Sequence, residues 1–401
     1  MVSDFSGKLA ALAEVVVRIG VNLQPGQPLL ITEPYEQQGV VPAAAEFVEA
    51  LTKAAHDADG GKVSVIWSEP EKLRQMAASA DGAAFEKLVR SHTRTMTRQL
   101  DNGGGLLCLT GSLPNLFHGI AASTLAALHE INWRHFGPVV QRLVRGETQW
   151  CLTPAPAPAW ATLACGDLPH EQQLSALWKI VFAALRVESR EAPLSFWQAH
   201  LSALAAQSER LNQRRVRGVR YMGDGTDLTV ALSPRHRWCT AQPLSRRGVP
   251  FVVNLPTEEI FTLPHRSSAQ GTLRVSRPVN FAGEVIDGIE LHFAKGRVVR
   301  AAATRNDELL QQMLDTDDGA ARLGEIAVLG SAVGLPEVKW TRARDIFYHP
   351  ILDENAANHV ALGAAYPFCH RGWLKFSANR SLIHVDLPVA AQASFVATEP
   401  A

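Results

Sequence analysis

After residue 250, four short segments carry side chains able to hold a cation or move a proton. His384-Val385-Asp386 lies in a strand-like run over 382–387. Residues two apart on a strand share a face, so this imidazole and carboxylate could grip one ion together. Asp353-Glu354-Asn355-Ala356-Ala357-Asn358-His359 reads as a helix start with Asp353 as its N-cap. Glu354 and His359 are five apart, not the i, i+4 of a helical metal pair, so one site takes both only with Glu354 at the helix entry. Glu258-Glu259 sits in an apolar strand run, where a solvated face explains one acid but not both. Glu325 follows Gly324 and precedes Ile326-Ala327-Val328, a poor place for an unpaired charge. The ordinary readings are a His–Asp hydrogen-bonded pair, a first-turn acid favoured by the helix dipole, and loop carboxylates. No segment taken singly decides between these and metal chemistry.

Other chemistries lack their residues. There is no G-x-S-x-G elbow, since Gly330-Ser331-Ala332-Val333-Gly334 has its serine one place early, and there is no G-x-x-x-x-G-K-[ST]. Gly223-Asp224-Gly225 lacks a third glycine, lies between strand signals and reads as a turn. The arginines between Arg210 and Arg220 lack aromatic stacking partners and fit a solvated helix end and strand face. Lys plus Arg and Asp plus Glu each number 39, so no global basic field draws nucleic acid or an anionic membrane. Cys108, Cys151, Cys165, Cys239 and Cys369 are scattered without a C-x-x-C, which points to a reducing compartment. The N-terminus shows no signal peptide, and no apolar run reaches the roughly 18 residues needed to span a bilayer. The chain reads as cytoplasmic.

Elements must bring these segments together. At 401 residues and 46% hydrophobic, the chain is long enough for two or three domains with large cores. Leu9, Leu12, Ala13, Val16 and Ile19 share a helical face. Strand signals over 29–31, 63–67, 106–110 and 149–152 alternate with helical ones such as 42–55, which implies an open, mostly parallel α/β sheet. A stiff spacer, Pro154-Ala155-Pro156-Ala157-Pro158, precedes helices over 171–187 and 194–214. Beyond it strands dominate: 216–221, 227–232, 251–261, 271–277, and 289–302 with a hairpin turn at Lys295-Gly296. Helices are expected over 307–323 and 354–365. The fold class is therefore α/β: an N-terminal open α/β domain, 1–190, and a strand-rich α+β C-terminal domain, 191–401.

Taken in order, Pro-Thr-Glu-Glu, Gly-Glu, Asp-Glu-Asn-Ala-Ala-x-His and His-x-Asp resemble the metallo-aminopeptidases of the aminopeptidase T and aminopeptidase S type. The resemblance runs from Gly20-Val21-Asn22-Leu23-Gln24-Pro25-Gly26-Gln27 through Leu314-Asp315-Thr316-Asp317 to the last motif, and its most specific stretch is Asp-Glu-Asn-Ala-Ala. It implies metal ligation by Glu259, Glu325, His359, His384 and Asp386. The doublet alone does not choose between Glu258 and Glu259; the family pattern points to the second. It further implies Glu354 beside the metals as base or ligand, Tyr366 as the catalytic tyrosine, peptide substrates and a homodimer. Two divalent ions (Zn, Co, Mn or Mg) would have their charge balanced by Glu259, Glu325, Glu354 and Asp386, with Glu325 as the candidate bridge. Paired metals about 3.5–4 Å apart lower the pKa of a water and polarise a carbonyl.

Two rival readings stand beside this one. His359, His384 and Asp386 alone would make the two-His, one-carboxylate set of a mononuclear iron ring-cleaving dioxygenase. A non-catalytic member is the other, because after Asp386 the chain reads Leu387-Pro388-Val389 where the family continues with a Met-Ile-Gly-like stretch. Pro388 should end its strand or lie at an edge. His349-Pro350 and Cys369-His370 read as surface positions or as additions to the site.

Overall fold

The computed structural model describes residues 2–188, 192–281, 283–371, 378–390 and 392–397. It divides into two compact units, Met1–Ala199 with Gln242–Pro256 and His200–Ala241 with Thr257–Ala401. The expected domain change near 190 falls among residues 189–191, outside the described residues.

In the first unit four strands, β1 (Leu29–Thr32), β2 (Val63–Val65), β3 (Gly105–Thr110) and β4 (Trp150–Pro154), form a parallel sheet in the order β2-β1-β3-β4. α1 (Val2–Val15) precedes them, and between and after them run α2 (Ala45–Asp57), α3 (Pro70–Ala78), α4 (Gly82–Asp101), α5 (Ala122–Val144), α6 (Pro158–Ala164) and α7 (His170–Ala184). The central strands are apolar on both faces, as a sheet covered by helices requires. Leu30, Leu106 and Cys108 pack against Met96 and Leu100 of α4 and Phe136, Val139 and Leu143 of α5. The proline-rich spacer separates the end of β4 from Pro158, which opens α6 at a position where its missing N–H costs nothing.

Helix α8 (Pro193–Gln213) leads to the strand-rich unit. Six strands, β5 (Val216–Gly223), β6 (Thr226–Ala231), β8 (Gln270–Arg274), β11 (Glu290–Ala294), β12 (Arg297–Ala302) and β16 (Gln392–Ala397), make an antiparallel sheet ordered β12-β11-β8-β6-β5-β16. The turns expected at Asp224-Gly225 and Lys295-Gly296 are present, all four residues having positive φ. A second antiparallel sheet, ordered β15-β14-β13-β7, joins β7 (Glu259–Thr262), β13 (Leu323–Leu329), β14 (His359–Gly363) and β15 (His384–Pro388). A small ribbon, β9 (Val279–Phe281) with β10 (Glu284–Ile286), and the helices α9 (Asp307–Leu314) and α10 (Pro350–Glu354) complete the unit. As expected, β15 ends at Pro388 and is an edge strand.

Four expectations are corrected. The region 354–365 is not a helix: α10 ends at Glu354, and His359–Gly363 is strand β14, paired on both sides. Alanines favour a helix locally, but Val360 and Leu362 belong to the main core, and ladder pairing overrides that preference. Asp353 is not an N-cap. His349 holds that position, and the Asp353 carboxylate reaches back to accept the N–H groups of Phe347 and His349 at 2.7 and 3.0 Å. Helix α9 ends at Leu314, and the strand expected over 251–261 is confined to β7.

The four-stranded sheet separates core from site by simple alternation. Ile260, Ile326, Val328, Val360, Leu362, Val385 and Leu387 join the main apolar cluster. The intervening positions, Glu259, Phe261, Glu325, Ala327, His359, Ala361, His384 and Asp386, take the other face. Leu323 belongs to the core although it is two residues from Glu325. A register shift between them resets the alternation and turns Glu325 to the outer face. Gly324 sits in that bulge, where a β-carbon would run into the carbonyl groups of Gly363 and Ala364.

Candidate metal centre

The outer face of this sheet carries acids and imidazoles over a floor of small residues. Ala327 lies opposite His359 on one side and Phe261 on the other. Ala361 lies opposite Asp386 and beside Glu325 in the ladder. Both alanines are fully buried, and their short side chains leave room for the longer groups to converge above them. Two sets of potential ligand atoms result, each within 4.8 Å of one another: Glu259, Glu325 and His359, and Glu325, His384 and Asp386. Glu325 belongs to both.

Within these sets His359 Nε2 is 3.3 Å from Glu259 Oε2 and 3.8 Å from Asp386 Oδ1. His384 Nε2 is 3.1 Å from Glu325 Oε2 and 3.3 Å from Asp386 Oδ1. Each ring is oriented from behind. His384 Nδ1 lies 2.7 Å from the Ala364 carbonyl, and His359 Nδ1 lies 3.2 Å from that of Ala357. A carbonyl only accepts, so Nδ1 carries the proton and Nε2 is the atom turned to the carboxylates, the arrangement that metal-ligating histidines adopt.

The charges are mutually dependent. Burial, followed by the charges of Glu354, Glu325 and Asp386, pushes the Glu259 carboxyl well above the usual range. Burial works against an imidazolium at His384, but Asp386 and Glu325 outweigh it and hold its pKa well above the ordinary value. Burial likewise opposes ionisation of Asp386, yet His384 and His359 keep its pKa low. Glu259 Oε2 and Asp386 Oδ1 are buried without a hydrogen-bond partner among the described residues. Orphaned buried acceptors of this kind are costly, and a divalent cation satisfies them. The donor set, oxygen and imidazole without thiolate, fits Zn, Co, Mn or Mg.

Glu258 and Glu259 point apart. The Glu258 carboxylate pairs with His200 Nε2 at 3.2 Å and, with His200, Arg277, Thr341 and Asn358, lines a cavity of about 370 Å3. Glu354, the last residue of α10, has Oε1 3.1 Å from the Nδ2 of Asn355. Tyr366 follows β14, with its ring centroid 4.9 Å from that of His384 and 38% of its surface exposed. Desolvation, then the charges of Glu325, Asp386, Glu354 and Glu259, raise its hydroxyl well above the usual range and keep it a proton donor. It stacks on Phe368 at 5.4 Å. His349 and Cys369 are buried, not surface residues, and neither belongs to the two candidate ligand sets. The sequence reading missed Ala327, Ala361 and Asn355. The signal for the alanines was a small residue at alternate positions of otherwise bulky strands.

The Thermophilic metalloprotease (M29) family matches residues 5–399 of the chain. Aminopeptidase T of Thermus thermophilus is 32% identical over 394 residues, covering 97% of this chain and 93% of that protein. Aminopeptidase 2 of Geobacillus stearothermophilus is 32% identical over 394 residues, covering 96% and 92%. The structure of wild-type AmpT from Thermus thermophilus superposes with a TM-score of 0.87 at 31% identity, covering 97% of this chain and 95% of that one.

Proposed function

The chain belongs to the Thermophilic metalloprotease (M29) family, and from that premise we propose how its residues divide the work of a metal-dependent aminopeptidase. The substrates are peptides, from which the N-terminal residue is removed. Glu259, Glu325 and His359 would hold one divalent ion and Glu325, His384 and Asp386 a second, Glu325 being common to both sets. The observation that carries this reading is the shared Glu325 in two compact sets of ligand atoms. The ions are Zn, Co, Mn or Mg. When bound, they supply polarisation of the scissile carbonyl and a lowered pKa for the attacking water.

The chain's own groups do the rest. Glu354 takes the proton from the attacking water and returns it to the nitrogen of the leaving amine. The Tyr366 hydroxyl donates to the oxyanion that develops on the carbonyl oxygen. The Ala364 and Ala357 carbonyls keep both imidazoles in the tautomer with Nε2 facing the site. The protein acts as a homodimer in the cytoplasm. Five free, buried cysteines suit a reducing compartment, and among the described residues no helix is long and apolar enough to cross a membrane.

The test is a metal-reconstituted assay on a panel of aminoacyl anilides, with Glu354→Gln and His384→Ala. Glu354→Gln is expected to lower kcat by about 10²- to 10⁴-fold while metal is still taken up. His384→Ala is expected to lose one of two bound ions. Equal hydrolysis by wild type and both variants would refute the assignment. A mononuclear dioxygenase on His359, His384 and Asp386 instead requires one oxygen-sensitive iron per chain.

A further inference from the structure

Between Glu354 and His359 runs Asn355-Ala356-Ala357-Asn358, and the functional assignment uses neither asparagine. Asn355 is completely buried, at 0% exposure. Its carboxamide is engaged at both ends. Oδ1 accepts the N–H of Glu258 at 2.6 Å, while Nδ2 donates to the Ile351 carbonyl at 2.9 Å and to Glu354 Oε1 at 3.1 Å. Asn358 repeats the pattern three residues on. Its Oδ1 accepts the N–H of Leu329 at 2.8 Å, and its backbone carbonyl accepts that of Val389 at 2.7 Å. Glu258 immediately precedes β7, and Leu329 ends β13 opposite Glu259. The segment therefore crosses the ends of both strands, and its two amides satisfy backbone donors that a further ladder partner would otherwise take.

We infer that Asn355 is a positioning residue for catalysis: one buried carboxamide ties the Glu354 carboxylate to the backbone that carries Glu259. This rests on the reading of Glu354 as the group that carries the proton. A glutamate side chain has several rotamers to lose, and a buried donor selects one of them. The position needs a donor and an acceptor on the same carbon, one for Glu354 and one for the Glu258 N–H, and a carboxamide supplies both. Aspartate at 355 keeps the acceptor and sets an oxygen against Glu354 in place of the donor. Serine or alanine cannot span both partners.

The test is a double-mutant cycle on the metal-loaded enzyme with Asn355→Asp, Glu354→Gln and the double variant, reading kcat and KM separately. Asn355→Asp is expected to lower kcat roughly 10- to 100-fold, as a small misplacement of a catalytic group does, with little change in KM. In the Glu354→Gln background the same change is expected to cost almost nothing, since Asn355 acts through Glu354. Asn355→Asp is expected to lower the melting temperature of the metal-free chain, because a buried oxygen replaces the donor to the Ile351 carbonyl, while calorimetric titration of the folded protein with Mn²⁺ should stay close to wild type. An equal loss of kcat in both backgrounds, or none in either while Glu354→Gln is crippled, overturns the inference. Wild-type kcat in Glu354→Gln sinks the role given to Glu354, and the inference with it. If Asn355→Asp does not fold, Asn355→Ala in the same two backgrounds serves the same comparison.

Discussion

Glu259, buried, and His384 and Asp386, half-buried, show how neighbouring ionisable groups set one another's charge. Burial alone would leave all three neutral; Asp386 and His384 instead hold each other in the charged form, while at Glu259 burial and then the surrounding acids Glu354, Glu325 and Asp386 act together to keep the proton on. In the metal-free chain protons occupy the role that cations fill in a loaded site, so metal uptake competes with protons. A buried acid elsewhere lets the same physics be tested away from metal. Glu33, just after β1, is 2% exposed and accepts the N–H groups of Tyr35, Glu36 and Gln37 at 2.9, 3.1 and 2.5 Å. Burial, then the charge of Glu36, pushes its carboxyl from 4.5 up to about 8. The unfolded chain loses this proton near 4.5, whereas the folded chain keeps it until about 8. Between those values the folded state binds more protons, so stability falls as pH rises. One group contributes a slope of at most about 1.36 kcal/mol per pH unit. Urea unfolding of wild type from pH 5 to 8 should show this decline, and Glu33→Gln, which cannot ionise, should flatten it. Identical slopes in the two proteins would count against the assignment.

At the scale of elements, the site depends on β13, β14 and β15 showing acids and imidazoles on one face and branched apolar residues on the other. The period-2 reading of His384 and Asp386 anticipated this for β15, because a two-residue spacing is a local property. It did not anticipate Glu325, whose face is set by the bulge at Gly324, or His359, which local alanines made look helical. Ala361 gives this level its own prediction. Glu325 and Asp386 reach toward each other from the strands on either side of it. Ala361→Val adds two methyl groups to a fully buried position between them. Overpacking of this kind costs about 1–3 kcal/mol. Metal stoichiometry is expected to fall while the far-ultraviolet circular dichroism stays that of wild type. Full metal loading in Ala361→Val would show that the space above the strand is not part of the site.

At the scale of the whole molecule, the strand-rich unit has a dense core on one side of its four-stranded sheet and a cluster of buried charge on the other. A cation that binds only the folded arrangement stabilises it by mass action, about 2.7 kcal/mol at a hundredfold excess over Kd. Adding Mn²⁺ or Zn²⁺ to chelator-treated protein should therefore raise its melting temperature, and EDTA should reverse the gain. A melting temperature indifferent to both would mean that the acids are not a metal cage. Residue types, their order and the pairing of His384 with Asp386 were all legible in the one-dimensional chain, as was the division into an α/β region and a strand-rich region. These follow from short-range periodicity and from the chemistry of single side chains. Tertiary structure alone decided that Glu258 pairs with His200 and that Asn355 joins Glu354 to β7, and it gave geometry to what the family resemblance implied, Glu259 turned to the site and Glu325 common to both candidate ligand sets. Each of these depends on strand register and a bulge between segments tens of residues apart, and no local pattern encodes which residue of one strand faces which residue of another.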